Sequence, residues 1–236
     1  MTPLVLLPGM MCDARLFGPQ MAHFSGQRAV QIAPLSGADT MHELAENVLA
    51  HAPPRFALAG LSMGGIAAME VLRQAPERVE RIALLDTNPL AEFEEVKARR
   101  QPQIEKARDG RLADIMRDEM KPNYLADGPD KTDILELCLE MALELGPDVF
   151  VSQSIALRDR PDQCETLRNF TGPALVLCGR MDTLCPVSRH ELMADLLPNA
   201  TLEIVEGAGH LPTLEKPDET NAALSAWLEK AAEPVA

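Results

Sequence analysis

The sequence predicts an α/β fold in which a mostly parallel sheet of about six strands is flanked by helices and carries an inserted helical cap. Three observations predict it. Short apolar runs alternate with helical patterns over most of the 236 residues, which is typical of a parallel sheet covered on both faces. The alternation stops between residues 89 and about 168, and a Gly-x-Ser-x-Gly sequence follows the third apolar run. This length suits one core with an inserted subdomain.

The strands are predicted from six apolar or apolar-rich runs of strand length, several of which end at Gly, Asp or Pro. They cover residues 4–7, 29–33, 55–59, 81–85, 174–178 and 201–205.

Helical patterns of about a dozen residues lie between most of these runs. Proline stops two of them, at Pro76 and Pro198, and Pro217 occupies the first turn of the last one. The predicted helices cover residues 41–51, 63–74, 188–197 and 217–231.

Residues 89–168 are charged, helical in pattern and free of strand signals. Four helices are predicted there, over 92–108, 112–120, 131–145 and 148–159, separated by Gly, Pro and Asn turns. We interpret this segment as a helical cap (lid) on an α/β core formed by residues 1–88 and 169–236. A second, ordinary helical domain is the alternative.

Composition excludes several classes of function. A net charge of -14 would repel nucleic acid and anionic membranes, so neither is expected as a partner. The longest apolar stretches are far shorter than the roughly 20 residues that span a bilayer. Five scattered cysteines lack the spacing of a zinc or redox site. Without a predicted signal peptide, the expected compartment is the cytoplasm.

The Gly-x-Ser-x-Gly sequence makes Ser62 a candidate nucleophile. It reads Gly60-Leu-Ser-Met-Gly-Gly65, after an apolar run and before a helical pattern. Raising a serine hydroxyl above a sheet requires a turn from strand to helix within about one residue, and only small neighbours fit such a turn. We call residues 60–65 the elbow.

A nucleophilic serine needs a base and an acid that orients it. His210 follows the run at 201–205 in a Gly-rich loop. This loop is expected at the carboxyl edge of the sheet, where parallel-sheet proteins have their active sites. The other four histidines are predicted to be solvated. Asp182 follows the run at 174–178 and is the favoured acid. Asp86, which ends the run at 81–85, is the alternative acid.

Two backbone N–H groups are expected to stabilise the oxyanion of such a reaction. One belongs to Met63, directly after Ser62 at a helix N-terminus. The other should come from the loop after the first strand, where Gly9 allows the turn and Met10 is our choice, with Met11 as the alternative.

The elbow, the Gly179-Arg-Met-Asp182 loop and the Gly207-Ala-Gly-His210 loop together resemble the α/β-hydrolase fold superfamily over nearly the whole chain. Within it the chain is similar to small capped carboxylesterases and enol-lactonases. The family's oxyanion loop usually reads His-Gly, whereas this chain has Pro8-Gly9. Because the sequence starts at the strand before that loop, the family's N-terminal hairpin is expected to be missing.

The resemblance implies a serine hydrolase that cleaves a carboxylic ester, lactone or thioester of a small molecule, with no metal or organic cofactor, as a monomer or homodimer. Serine at the elbow excludes the dehalogenases that use Asp and the dienelactone hydrolases that use Cys. Alternatives are C–C bond hydrolysis or a lyase step with the same triad, perhydrolysis, and a non-catalytic small-molecule receptor.

The substrate pocket is expected to be apolar, deformable and nearly free of aromatic rings. Met10 and Met63 lie in motif loops, and Met11, Met181 and Leu211 are further candidate lining residues. This composition predicts a preference for small or medium aliphatic esters over anionic substrates. The alternative is that the methionines fill gaps in the core.

Overall fold

Six parallel strands form one sheet in the computed structural model, which describes residues 1–230. The order across the sheet is β2-β1-β3-β4-β5-β6, and each strand pairs in parallel with its neighbours. This confirms the predicted fold class. The strands are β1 (Leu4–Leu7), β2 (Val30–Ile32), β3 (Phe56–Leu61), β4 (Val79–Leu85), β5 (Ala174–Gly179) and β6 (Ala200–Val205).

Both faces of the sheet are covered by helices, and this explains the apolar strands. In β1 the side chains alternate: Val5 and Leu7 belong to the core on one face, and Leu4 and Leu6 belong to the core on the other. All four are fully buried. Such a strand has no solvated side, so it appears in the sequence as a continuous apolar run rather than an alternating one.

The helices that cover the sheet agree with the predicted ones to within about a residue at most ends. Position 231, where the last helix was expected to end, lies outside the described residues. Three short helices, α1, α7 and α9, are absent from the predicted elements. The helices around the sheet are α1 (Gly18–Phe24), α2 (Met41–His51), α3 (Met63–Gln74), α7 (Cys164–Arg168), α8 (Val187–Leu196), α9 (Pro212–Glu215) and α10 (Pro217–Glu229).

Between β4 and β5 the described chain is helical, without a strand. It forms α4 (Glu94–Arg108), α5 (Leu112–Asp114), which continues as a π-helix over Ile115–Met120, and α6 (Lys131–Arg158). Two predicted helices form the two halves of α6, which breaks at Gly146, where φ is 83° before a proline. The exact domain boundaries, at 88 and 169, stay a prediction.

An apolar cluster joins the inserted helices to the sheet edge. It contains Met11 from the loop after β1 together with Ala107, Ile115, Ala142 and Phe150 from α4, the π-helix and α6. The insertion is therefore packed over the loop that follows the first strand. No helix in the described part of the chain has the length and apolar character needed to cross a bilayer.

Candidate active site

Ser62 stands alone between β3, which ends at Leu61, and α3, which begins at Met63. Its backbone has φ 56° and ψ -116°, a strained conformation for a residue with a Cβ. Two contacts hold it there. The Ser62 N–H donates to the Leu85 carbonyl at 2.9 Å, and the Thr87 hydroxyl donates to the Ser62 carbonyl at 2.7 Å.

The elbow glycines are required by close packing. A Cβ on Gly60 would overlap the carbonyl group of Gly64, and a Cβ on Gly64 would overlap the carbonyl group of Leu7. A Cβ on Gly65 would lie 2.7 Å from the Thr87 side chain. Because α3 starts this close to the sheet, its first N–H groups and the Ser62 hydroxyl meet at the carboxyl edge of the strands.

Three predicted residues form one hydrogen-bonded chain. The His210 Nε2 atom lies 2.9 Å from Ser62 Oγ, and His210 Nδ1 lies 2.8 Å from Asp182 Oδ2. When the Nδ1–H is donated to the carboxylate, the Nε2 lone pair faces the serine hydroxyl. The arrangement can remove a proton from Ser62 and stabilise the imidazolium that results.

Asp182 is held as an ionised carboxylate. It is buried, and burial alone would raise its pKa. The charge and hydrogen bond of His210 and the backbone N–H groups of Leu184 and Cys185, at 2.8 and 3.0 Å from Oδ1, outweigh burial and hold the pKa of this carboxyl below its usual value. Asp182 can therefore accept the His210 N–H at neutral pH.

Asp86, the alternative acid, lies beside this chain of hydrogen bonds in a different state. It is fully buried, with φ 42°, and its Oδ1 accepts the Gly179 N–H at 2.9 Å. No donor reaches its buried Oδ2 among residues 1–230, but a protonated Asp86 could donate a hydrogen bond to the Asp182 carboxylate beside it. Burial first, and then the charge of Asp182, raise the pKa of Asp86 well above its usual value. Its surroundings thus favour the protonated form of this carboxyl over the ionised one.

The His210 loop is fixed by a residue that sequence reasoning missed. The Glu215 carboxylate accepts the N–H groups of Gly209 and Leu211, each at 2.9 Å, and also that of Ala126 from the inserted segment at 2.8 Å. Glu215 therefore holds the backbone on either side of His210 and connects the inserted segment to the His210 loop. A glutamate in a short helix gives no sequence signal of this role.

The loop after β1, which is predicted to supply an oxyanion donor, presents one N–H, that of Met10, without an acceptor among the described residues. Met63, at the first position of α3, has no intrahelical acceptor for its own N–H. The described hydrogen bonds include none donated by the Met10 N–H, whereas the Met11 N–H donates to Gln153 Oε1 at 2.8 Å. Met11, not Gly9, adopts positive φ, at 56°. These contacts favour Met10 over Met11.

Gln153 is a second residue missed from the sequence. It lies on α6, is buried, and bridges the oxyanion loop to the chain after β2: its Oε1 accepts the Met11 N–H and its Nε2 donates to the Leu35 carbonyl at 2.7 Å. A single polar residue on a helix does not reveal such a contact 142 positions away along the chain.

A cavity of about 610 Å³ opens above Ser62. Met10, Met63 and Leu211 line it. Met11 and Met181, the other two candidate lining residues, do not: Met11 is buried in the cluster under the insertion, and Met181 is 59% exposed to solvent.

The cavity wall is also more polar than expected. Phe93 and Tyr124 contribute aromatic rings, and four arginines line the wall, so the prediction of an apolar, aromatic-poor pocket is wrong. Helical patterns alone do not set the register of the inserted helices on the sheet, so their inward faces could not be identified from the sequence. The arginines are Arg99, Arg100, Arg160 and Arg189.

One group of side chains has the spacing of a metal site. Ligand atoms of Asp182, Cys185 and His210 lie within 4.8 Å of one another. Two of them are already joined by a hydrogen bond. Burial first, and nearby carboxylates next, raise the pKa of the Cys185 thiol well above its usual value, whereas metal binding needs a thiolate. The donor set does not suit a metal ion.

His190 supports the elbow from α8. It was predicted to be solvated but is fully buried. Its Nε2 accepts the Thr87 N–H at 3.1 Å, and Thr87 in turn holds the Ser62 carbonyl. Burial lowers the pKa of His190 to about 4, so the ring is neutral and can accept this hydrogen bond.

The chain is similar to known proteins in sequence and in fold. Residues 4–223 match the model of the alpha/beta hydrolase family. The chain is 24% identical over 215 residues to the biotin biosynthesis bifunctional protein BioHC of Teredinibacter turnerae, covering 82% of this chain and only 36% of that protein. It is 27% identical to a pimeloyl-[acyl-carrier protein] methyl ester esterase of Salmonella newport, covering 77% of this chain and 73% of the relative.

A solved structure is similar over almost the full length. The thermophilic esterase from Thermogutta terrifontis, with malate bound, superposes with a TM-score of 0.90 at 25% identity, covering 99% of this chain and 91% of the esterase.

We expect His190 to make stability depend on pH. Its folded pKa, about 4, lies below the ordinary value of 6.5, so the unfolded chain takes up a proton first as the pH falls. The free energy of unfolding should therefore decrease between pH 6.5 and 4, by up to about 3 kcal/mol from this residue. Urea titrations across this range measure it.

The His190→Gln variant keeps an acceptor for the Thr87 N–H and cannot titrate, so it should show a shallower pH dependence. The matched control is His51→Gln, at an exposed histidine on α2, which should keep the wild-type slope. Equal slopes for wild type and His190→Gln would contradict the assignment.

Proposed function

Because the chain belongs to the alpha/beta hydrolase family, we propose that it is a serine hydrolase that cleaves a carboxylic ester, lactone or thioester of a small molecule. The observation that carries the proposal is the hydrogen-bonded chain from Ser62 through His210 to Asp182 at the wall of the cavity. Relatives named as methyl ester esterases favour ester cleavage over the other reactions that such a triad performs.

In the proposed reaction Ser62 Oγ attacks the carbonyl carbon while its proton passes to His210 Nε2. The tetrahedral oxyanion is stabilised by the N–H groups of Met63 and Met10, and the N-terminus of α3 adds a favourable dipole. When the bond to the leaving oxygen or sulfur breaks, His210 returns the proton to that atom. The acyl group then remains on Ser62.

Water completes the cycle by the same route. His210 takes a proton from the water as its oxygen attacks the acyl carbon, and the second tetrahedral intermediate collapses to release the carboxylic acid and to return the proton to Ser62. Asp182 holds the imidazolium in both halves. Asp86 takes no part in the proposed proton transfer.

Ser62→Ala should abolish labelling by a fluorophosphonate probe and reduce release of nitrophenol from 4-nitrophenyl butyrate by at least about 10³-fold, because the attacking oxygen is removed. Labelling is read by intact-mass spectrometry and turnover by absorbance. Ser225→Ala, a serine on α10, is the matched control and should keep both. Wild-type protein that shows neither labelling nor turnover would refute the proposal.

Asp182→Asn should reduce kcat by about 10⁴-fold, because an amide does not hold His210 in the tautomer that accepts the serine proton. Asp86→Asn should stay within about tenfold of wild type, since asparagine is a neutral isostere and its oxygen can still accept the Gly179 N–H. The comparison uses 4-nitrophenyl butyrate at neutral pH. The opposite ranking would assign the acid role to Asp86.

Gln153→Leu should lower kcat by about 10- to 100-fold, because the Met11 N–H loses its acceptor and the adjacent Met10 N–H loses its fixed direction. The change should fall on kcat more than on KM. Gln101→Leu, on the exposed side of α4, is the matched control. Thermal unfolding of both variants establishes that they are folded at the assay temperature, and an unchanged kcat in Gln153→Leu would argue against this positioning role.

A further inference from the structure

Three of the cavity's arginines form a group that we call the arginine cluster: Arg100, Arg160 and Arg189. Two of them share one carboxylate. Glu92 Oε2 accepts from Arg100 Nε and Nη2 at 2.9 and 2.5 Å, and Glu92 Oε1 lies 2.9 Å from Arg160 Nη2. These side chains are 12%, 5% and 5% exposed for Arg100, Arg160 and Glu92. One positive charge is therefore left without a counter-ion in a nearly buried group.

The excess charge cannot be removed by deprotonation at physiological pH. Burial first, and repulsion from Arg100, lower the pKa of Arg160, while Glu92 raises it. A guanidinium nevertheless stays protonated in proteins. An unpaired buried charge is unfavourable unless something neutralises it.

The cavity offers no second acid for this purpose. Its acidic lining residues are Glu92 and Glu119, and Glu119 is already bound by Lys106 Nζ at 2.6 Å and by Gln103 Nε2 at 3.0 Å. These contacts lower the pKa of Glu119 and keep it ionised. Its charge is matched by Lys106 and not by the arginine cluster.

Arg189 adds a further positive charge to the same wall. It lies on α8, its guanidinium carbon is 4.8 Å from the centre of the Phe93 ring, and within residues 1–230 it forms no ion pair with a carboxylate. Both Arg160 and Arg189 act electrostatically on the Cys185 thiol, which places both arginines near the segment whose N–H groups bind Asp182. The cluster is thus close to the proposed triad.

We propose that the cavity binds an ester whose non-reacting part carries an ionised carboxylate or phosphate group, held by Arg160 and Arg189. The proposal rests on the proposed function and names its substrate class. Guanidinium groups match the oxygens of either anion with two parallel hydrogen bonds. The chain as a whole repels anions, because its net charge is -14. The excess positive charge inside the cavity would instead attract the anionic group of a substrate bound there.

The test compares two nitrophenyl esters that differ at the remote carboxyl group, which is ionised in 4-nitrophenyl hydrogen glutarate and a neutral methyl ester in 4-nitrophenyl methyl glutarate. We expect kcat/KM to be about 10- to 100-fold higher for the anionic ester, the range of a charge-assisted hydrogen-bond pair. Arg189→Gln and Arg160→Gln should each reduce this ratio of anionic to neutral kcat/KM by about tenfold. The proposal would be overturned if the ratio of anionic to neutral kcat/KM were close to 1 in the wild type, or if both variants kept the wild-type ratio.

Arg180→Gln is the matched control, because Arg180 pairs with Glu206 on the exposed surface and does not line the cavity. It should leave the preference unchanged. Thermal unfolding identifies a variant that fails to fold. If Arg160→Gln fails to fold, Arg189→Gln still tests the proposal, because Arg189 is only partly buried.

Binding separates this proposal from the proposed function. Calorimetric titrations of wild type and Ser62→Ala with glutarate and with inorganic phosphate need no turnover. Binding that is lost in Arg160→Gln or Arg189→Gln supports the anion site even if neither ester is cleaved, and the tighter of the two ligands identifies carboxylate or phosphate as the group held. No binding of either ligand would overturn the anion site, while turnover of the neutral ester would leave the hydrolase intact.

Discussion

The backbone of Ser62 is the constraint on which the rest of the site depends. Its positive φ, at 56°, is unfavourable for a residue with a side chain, and the surrounding structure holds it in place. Leu85 and Thr87 bind its N–H and carbonyl from the end of β4, and buried His190 fixes Thr87 from α8. The sheet core and α8 thus stabilise one residue conformation, and that conformation directs the hydroxyl towards His210.

The two neighbouring carboxyls at the site, Asp182 and Asp86, have pKa values shifted in opposite directions. The backbone N–H groups and the His210 ring that hydrogen-bond to Asp182 lower its pKa against the effect of burial, while burial first, and the charge of Asp182 next, raise the pKa of Asp86 well above its usual value. Two ionised carboxylates so close together in a buried site would repel each other strongly. One ionised and one neutral carboxyl is the stable combination, and it leaves a single anion to pair with the imidazolium.

The features that could be predicted from the sequence are those set by physical requirements within a few neighbouring residues. Gly60 and Gly64 are needed because any Cβ there overlaps backbone, and a fully buried strand such as β3 must be apolar along its whole length; both requirements are visible within a few residues. Gln153, Glu215 and the arginine cluster were not predictable, because each acts across the packing of inserted helices on the sheet. Their residue types are ordinary for helices, and the register that turns them inward is set by tertiary contacts.

The arginine cluster is better explained by a ligand than by stability. A buried group of two arginines and one glutamate gains little over well-packed apolar side chains of similar volume, since the desolvation of three charges offsets their attraction. The group here also keeps one unmatched positive charge in a cavity wall. Folding alone would favour a second carboxylate or a neutral residue in place of one arginine. With the proposed anionic substrate bound near Ser62, this positive charge would gain its counter-ion, and the stabilisation missing in the free protein would become binding energy for the substrate.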